Sequence, residues 1–211
     1  MVSPLVEIQP ASTGQPSVPR VPVEVLAPCR DIRTPRLTLR PLRPGDRSQF
    51  VGILRTDEAY LHRGINVRVV GETLDDCFER LLRATVKGDM SGLEWRRVGV
   101  LDDDRIAGMF HLLAIDHALL AKADAGWWVT RQCAGNGLAI EGVQAMVQYA
   151  FDDLAKGLGL IQVDAAITAD NLASRRVAER AGFVCCAGER TQCRLEGRFV
   201  DHEIWHIKIK I

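Results

Sequence analysis

Two rhythms of apolar and polar residues divide this chain into elements. Arg36-Leu-Thr-Leu-Arg-Pro-Leu42 alternates with the two-residue period of a half-buried strand. Pro44 and Asp46 mark a helix start, with Phe50, Ile53 and Leu54 on one face. Thr73 opens a second helix, in which Leu74, Cys77, Phe78, Leu81 and Leu82 recur at helical spacing. Residues 60–71 between these helices read as a loop. Residues 93–101 and 105–115 flank the acidic turn Asp102-Asp103-Asp104 and predict a hairpin.

The next stretch organises the rest. A run of β-formers, Trp127-Trp128-Val129-Thr130, meets a glycine-bearing turn at 132–137, and an amphipathic helix begins at once. Its stripe is Val143, Met146, Val147, Ala150, Phe151 and Leu154, with Gly157 as terminator. Residues 160–167 read as a strand, parallel to the Trp-Trp strand if the helix between crosses over in the usual right-handed way. Asp170 or Asn171 caps a short helix that ends at Gly182, with Phe183 as the apolar contact after it. Strands at 184–194 and 199–210, joined by 195–198, close the chain. Antiparallel strands followed by a strand–turn–helix–strand unit indicate a mixed α/β (α+β) layer architecture.

Composition narrows the class. Twenty-seven basic and 27 acidic residues cancel, which argues against a nucleic-acid or anionic-membrane binder. No apolar run reaches the ~18 residues of a membrane span, and Met1-Val2-Ser3-Pro4 lacks the basic-then-apolar start of a secretory leader. Six cysteines at 29, 77, 133, 185, 186 and 193 include no Cys-x-x-Cys pair, so reduced thiols in a cytoplasmic protein are expected rather than zinc or disulfides. All nine prolines lie within the first 44 residues. Six of them interrupt residues 1–30, which read as an extension preceding a domain at 31–211.

A glycine turn between a strand and a helix N-terminus suits a phosphate, because outward amides and the helix dipole both favour an anion. A dinucleotide fold wants a third glycine where Ile140 stands, and no Gly-Lys-Ser/Thr triplet exists here. What remains is Gln/Arg-x-x-Gly-x-Gly/Ala, filled by Gln132, Gly135 and Gly137. This resembles the acyl-CoA pyrophosphate signature of the GNAT superfamily of N-acetyltransferases. A second GNAT signature, Asn-x-x-Ala/Ser-x-x-x-x-Glu-x-x-Gly-Phe, is matched downstream by Asn171, Ser174, Glu179, Gly182 and Phe183. The Thr34-to-Arg40 opening, Ser174 and the 197–205 tail are similar to the Rim-type branch, the ribosomal-protein N-terminal acetyltransferases and their relatives.

The resemblance implies a GNAT fold, a mixed central sheet with a splayed parallel pair and flanking helices. It implies acetyl-CoA as cosubstrate, held by Gln132, Cys133, Ala134, Gly135, Asn136, Gly137 and Leu138, with a backbone amide near Val129 facing the thioester. Asn171 would bond the pantetheine arm, cap the next helix, or both. The partner implied is a primary amine, either a protein N-terminus or a small molecule, attacking directly in a ternary complex. A homodimer is compatible with this, and the rival reading is a non-catalytic acyl-CoA-binding module. Ala178 supports the rival, since many members carry there a tyrosine that protonates the leaving thiolate. Ser174, one helical turn after Asn171, is the replacement on offer, or else a helix-start serine bonding backbone. Glu141 is the candidate base, or else a solvated carboxylate favoured by the helix dipole. Trp127 and Trp128 point to opposite faces of their strand, one into the core and the other toward the pantetheine or acceptor channel. His202 and His206 have zinc spacing on a helix, but on a strand they lie roughly 13 Å apart at ~3.3 Å per residue, so no metal is expected.

Overall fold

The computed structural model describes residues 24–26, 31–61, 67–195 and 198–209. The remainder of the 1–30 extension, residues 62–66 of the 60–71 loop and residues 196–197 of the closing turn lie outside the described residues. In chain order the elements are β1 (Glu24–Leu26), β2 (Asp31–Arg33), β3 (Thr38–Arg40), α1 (Arg47–Leu61), α2 (Leu74–Ser91), β4 (Trp95–Val100) and β5 (Ile106–Asp116). There follow β6 (Lys122–Val129), α3 (Leu138–Phe151), β7 (Gln162–Ile167), α4 (Leu172–Ala181), β8 (Val184–Leu195) and β9 (Arg198–Lys208). One sheet carries all the strands in the order β1-β2-β3-β4-β5-β6-β7-β9-β8. Every neighbouring pair is antiparallel except β6–β7, which is parallel.

Local chemistry sets the helix ends. Thr73 accepts from the Asp76 amide at 3.1 Å to start α2, and Asn171 accepts from the Ser174 amide at 3.1 Å to start α4. The left-handed Gly182 (φ 99°) ends α4, and Phe183 beyond it is buried. Sequence expectations need correcting in two places. Glu24–Leu26, within the proline-rich 1–30 stretch whose prolines are expected to break any ladder, form β1 and pair with β2. Helix α3, in turn, is shorter than its stripe. Helix α3 stops at Phe151, so Leu154 falls outside its stripe and is 72% exposed. Gly157 does not cap the helix either. It lies where a Cβ would come within 2.2 Å of the Tyr149 carbonyl oxygen, so glycine is required by the close return of the chain.

Two hydrophobic clusters sandwich the sheet. One unites Val143, Met146, Val147 and Ala150 of α3 with Ala178 and Ala181 of α4, Trp127 and Phe183. The other unites Phe50 and Leu54 of α1 with Cys77, Phe78 and Leu81 of α2, Met109 and Trp128. The adjacent tryptophans therefore enter opposite cores, Trp127 beside Phe183 (ring centroids 6.1 Å) and Trp128 beside Phe50 (5.8 Å). Both are structural, although Trp127 also reaches a cavity wall.

The parallel pair is short. Ladder pairing joins Lys122, Ala123 and Asp124 to Gln162, Val163 and Asp164, and then stops. Strand β6 continues to Val129 and β7 to Ile167, so the two diverge and leave a wedge between their C-terminal halves. The amide of Thr130 bonds Ala107 of the β5 side at 2.8 Å. Amides alternate in direction along a strand, so those of Val129 and Trp127 point the other way, into the wedge.

Candidate active site

At the wide end of the wedge lies the glycine turn. The amides of Cys133 and Ala134 are consumed by a turn of 3-10 helix, bonding Thr130 and Arg131 carbonyls at 3.0 and 3.3 Å. Those of Gly135, Asn136, Gly137 and Leu138 have no partner among the described residues. Gly135 and Gly137 adopt left-handed φ of 77° and 78°, and Gly137 caps α3 without a side chain. A Cβ on Gly135 would meet nothing within 4 Å. Open space, free amides and a helix N-terminus are the features a diphosphate requires, so these residues fit the nucleotide arm of an acyl-CoA. Of the predicted turn residues, Cys133 and Ala134 shape this cradle and Gly135 to Leu138 present its donors. Cys133 is buried, as is its thiol environment, within the first core cluster.

Glu141 differs from the sequence reading. Its side chain is only 7% exposed, and it is neither solvated nor free. It accepts from Thr34 Oγ1 at 2.6 Å, from the Arg36 amide at 2.8 Å and from Arg36 Nε at 2.7 Å, while Arg36 Nη2 lies 2.6 Å away. The same guanidinium donates from Nη1 to the Asn136 carbonyl at 2.8 Å. Arg36 thus ties the first turn of α3, the cradle and the start of β3 together. Sequence spacing could not reveal this contact, because its partners stand 105 residues apart.

On the opposite side of the wedge the sheet carries a cavity of about 580 Å³. It opens on the face that bears α1 and α2, because Asp164 and Ala166 alternate with Val163, Ala165 and Ile167 of the other core. Asn171 and Ser174 reach it through the wedge. Asp124, Asp164 and Glu189 give it an acidic wall, against which Lys122 stands 3.3 Å from Asp164. Burial and the neighbouring Asp164 raise the Asp124 carboxyl, with Lys122 opposing. Ala178, where a tyrosine would stand in many relatives, is fully buried in the α3–α4 core and does not face the cavity. Cys186 Sγ lies 2.7 Å from His206 Nδ1, but burial, Glu189 and Asp164 all push its thiol up, the reverse of an activated nucleophile. Among the described residues no group of side chains is arranged to hold a metal ion.

His111, which no local sequence pattern singles out, lines the cavity from β5. It packs over Gly126, where a Cβ would come within 2.2 Å of its Nε2. Burial, helped by the charge of Arg96, holds its pKa down to about 4. The folded state therefore favours neutral His111, and between pH 6.5 and 4 the unfolded chain binds more protons. This contribution is complete above pH 6.5 and is lost on acidification toward pH 4, on the order of 3 kcal/mol. His111→Gln is expected to flatten the decline of denaturant stability across that range. An unchanged slope would reject this origin.

Geometry so arranged, free amides at a glycine turn beside a splayed strand pair, suits a nucleotide-linked thioester. The Acetyltransferase (GNAT) domain model matches residues 36–184, and the chain belongs to that family, whose cosubstrate is acetyl-CoA. It is similar to YjcK of Bacillus subtilis (strain 168), named as an N-acetyltransferase, at 32% identity over 102 residues. That match covers 48% of this chain and about half, 54%, of the relative. YdaF of the same organism, named as a ribosomal N-acetyltransferase, is 26% identical over 150 residues, 70% of this chain and 78% of its own. Among solved structures, Mycobacterium smegmatis RimJ in complex with CoA-disulfide has the same fold, with a TM-score of 0.70 at 20% identity over 82% of this chain and 81% of that one. The mixed sheet with its splayed parallel pair is the expected GNAT architecture, and the likeness includes the Rim-type branch.

Proposed function

We propose that this chain moves the acetyl group of acetyl-CoA to a primary amine by direct attack in a ternary complex. The observation that carries this reading is the wedge itself, with unspent amides at one end and an acidic cavity behind it. Acetyl-CoA supplies an activated acyl carbon. The amides of Gly135 to Leu138 hold its diphosphate, and the Val129 amide aims at the position where oxyanion charge develops. Asn171 serves as helix cap through its oxygen, leaving its amide nitrogen for the pantetheine arm. Ser174 Oγ gives a proton or hydrogen bond to the departing sulfur, a modest demand for a thiol near the pKa of ~8.5 of cysteine. Glu141, saturated by Thr34 and Arg36, anchors the cradle and is not available as the base.

Three cavity carboxylates against one lysine favour an acceptor that arrives as a cation. The ribosomal N-acetyltransferase name of YdaF supports a protein N-terminus, and the acidic wall supports a small amine. A cytoplasmic location, where both donors and acceptors are present, belongs to the same proposal; among the described residues no helix is long and apolar enough to cross a membrane. The test is isotope-labelled acetyl-CoA incubated with a panel of peptides and amines. Label transfer to any of them supports the reading, whereas CoA binding without transfer indicates the non-catalytic module. For Ser174→Ala, turnover is expected to fall about tenfold with CoA affinity within about twofold. Unaltered turnover removes Ser174 from the mechanism.

A further inference from the structure

Transfer to an amine releases a proton, and neither cradle nor helix cap can take it. Two imidazoles face the cavity, His111 from β5 and His202 from β9. His111 keeps its proton-free form down to strongly acidic pH, which makes it a weak base. His202 is set differently. It is only 6% exposed, yet it lines the cavity. Its Nδ1 stands 2.8 Å from the Val200 carbonyl oxygen, which can only accept, so Nδ1 carries the hydrogen. In the neutral ring the lone pair then sits on Nε2. Strand register explains the placement. His202 and Ile204 share the face of Asp164 and Ala166, and His202 is paired with Thr191, another cavity residue.

We propose that His202 is the general base of the reaction, a catalytic residue that accepts the acceptor amine's proton at Nε2. This deepens the acetyl-transfer reading and rests on it. Nε2 first takes one proton from the incoming ammonium. The neutral amine nitrogen then bonds the acyl carbon, the carbon–sulfur bond breaks, and the remaining surplus proton on nitrogen passes to solvent or, through Ser174 Oγ, toward the sulfur. The sulfur leaves with a proton from Ser174 or solvent, and His202 returns its own to water. The backbone bond at Nδ1 fixes the tautomer and stabilises the imidazolium that forms, as an orienting partner does for a catalytic histidine. The ionisable groups that share the cavity with it are Lys122, Asp124, Asp164, Glu189, Cys193 and His111.

The experiment compares the full chain with His202→Gln and His202→Ala on the best acceptor of the panel. Expected results are a fall in kcat of about a hundredfold or more, CoA affinity by calorimetry within about twofold, and loss of the acidic limb of the pH profile of kcat/KM. Added imidazole should restore at least a tenth of the lost turnover in His202→Ala, which a purely structural role would not allow. Near-normal kcat with the acidic limb retained overturns the proposal while acetyl transfer stands. A kcat loss that tracks lost CoA affinity and is insensitive to imidazole overturns it as well. If the parent chain binds CoA but acetylates nothing, the acetyl-transfer reading falls, and the base with it.

Discussion

Gly135→Glu is expected to abolish CoA binding, by at least a hundredfold in Kd, which is about 2.8 kcal/mol. Three effects add. The left-handed φ of 77° costs a side-chain-bearing residue about 1–2 kcal/mol. The side chain would enter the space in front of the free amides of Gly135 to Leu138, which is open at present. Its carboxylate would also satisfy those amides itself, in competition with the diphosphate. Gly135→Ala separates the terms. A Cβ there touches nothing within 4 Å, so this variant should show the backbone cost in stability with a far smaller loss of affinity. Calorimetric titration of CoA into both variants provides the check, and unchanged affinity in Gly135→Glu would show that the diphosphate is not held at this turn.

Arg36→Ala should be the most destabilising single change at the site. Its side chain is half exposed, but its removal strands the Glu141 carboxylate, 7% exposed and deprived of its cationic partner. Losing charge-assisted hydrogen bonds to a carboxylate this buried costs about 1.5–3 kcal/mol, or a melting temperature lower by roughly 6 °C at ~2–4 °C per kcal/mol for a chain of this size. The reverse change, Glu141→Ala, should cost less, because Arg36 can turn its half-exposed guanidinium to water. CoA affinity should fall in both, since Arg36 Nη1 holds the Asn136 carbonyl and with it the orientation of the cradle amides. The double variant Arg36→Met with Glu141→Met should recover much of the stability and little of the affinity. Equal melting temperatures for the parent and Arg36→Ala would show that the pair is not the tie inferred here.

Local signals carried much of this molecule. The glycine turn, the Asn171 cap, the Gly182 stop and the periodic faces of α1, α2 and α3 are properties of short segments, fixed by backbone sterics and hydrogen bonds between residues a few positions apart. The order of the two signatures likewise pointed to a parallel strand pair with a helix between them. Leu154 and Gly157 escaped this logic because what decides them is the return of the chain onto Tyr149.

By itself, then, the sequence determined most of the elements, though not β1 and β2, together with the glycine turn and the family. The tertiary structure alone decided where charge and protons go. Glu141 became an anchor because β3 brings Arg36 across 105 residues to meet it. His111, Asp124 and His202 became neighbours of Ser174 because strand register and the divergence of β6 from β7 turn them to one cavity. Burial and charge at such a site are sums over residues distant in the chain, and no window of sequence contains them.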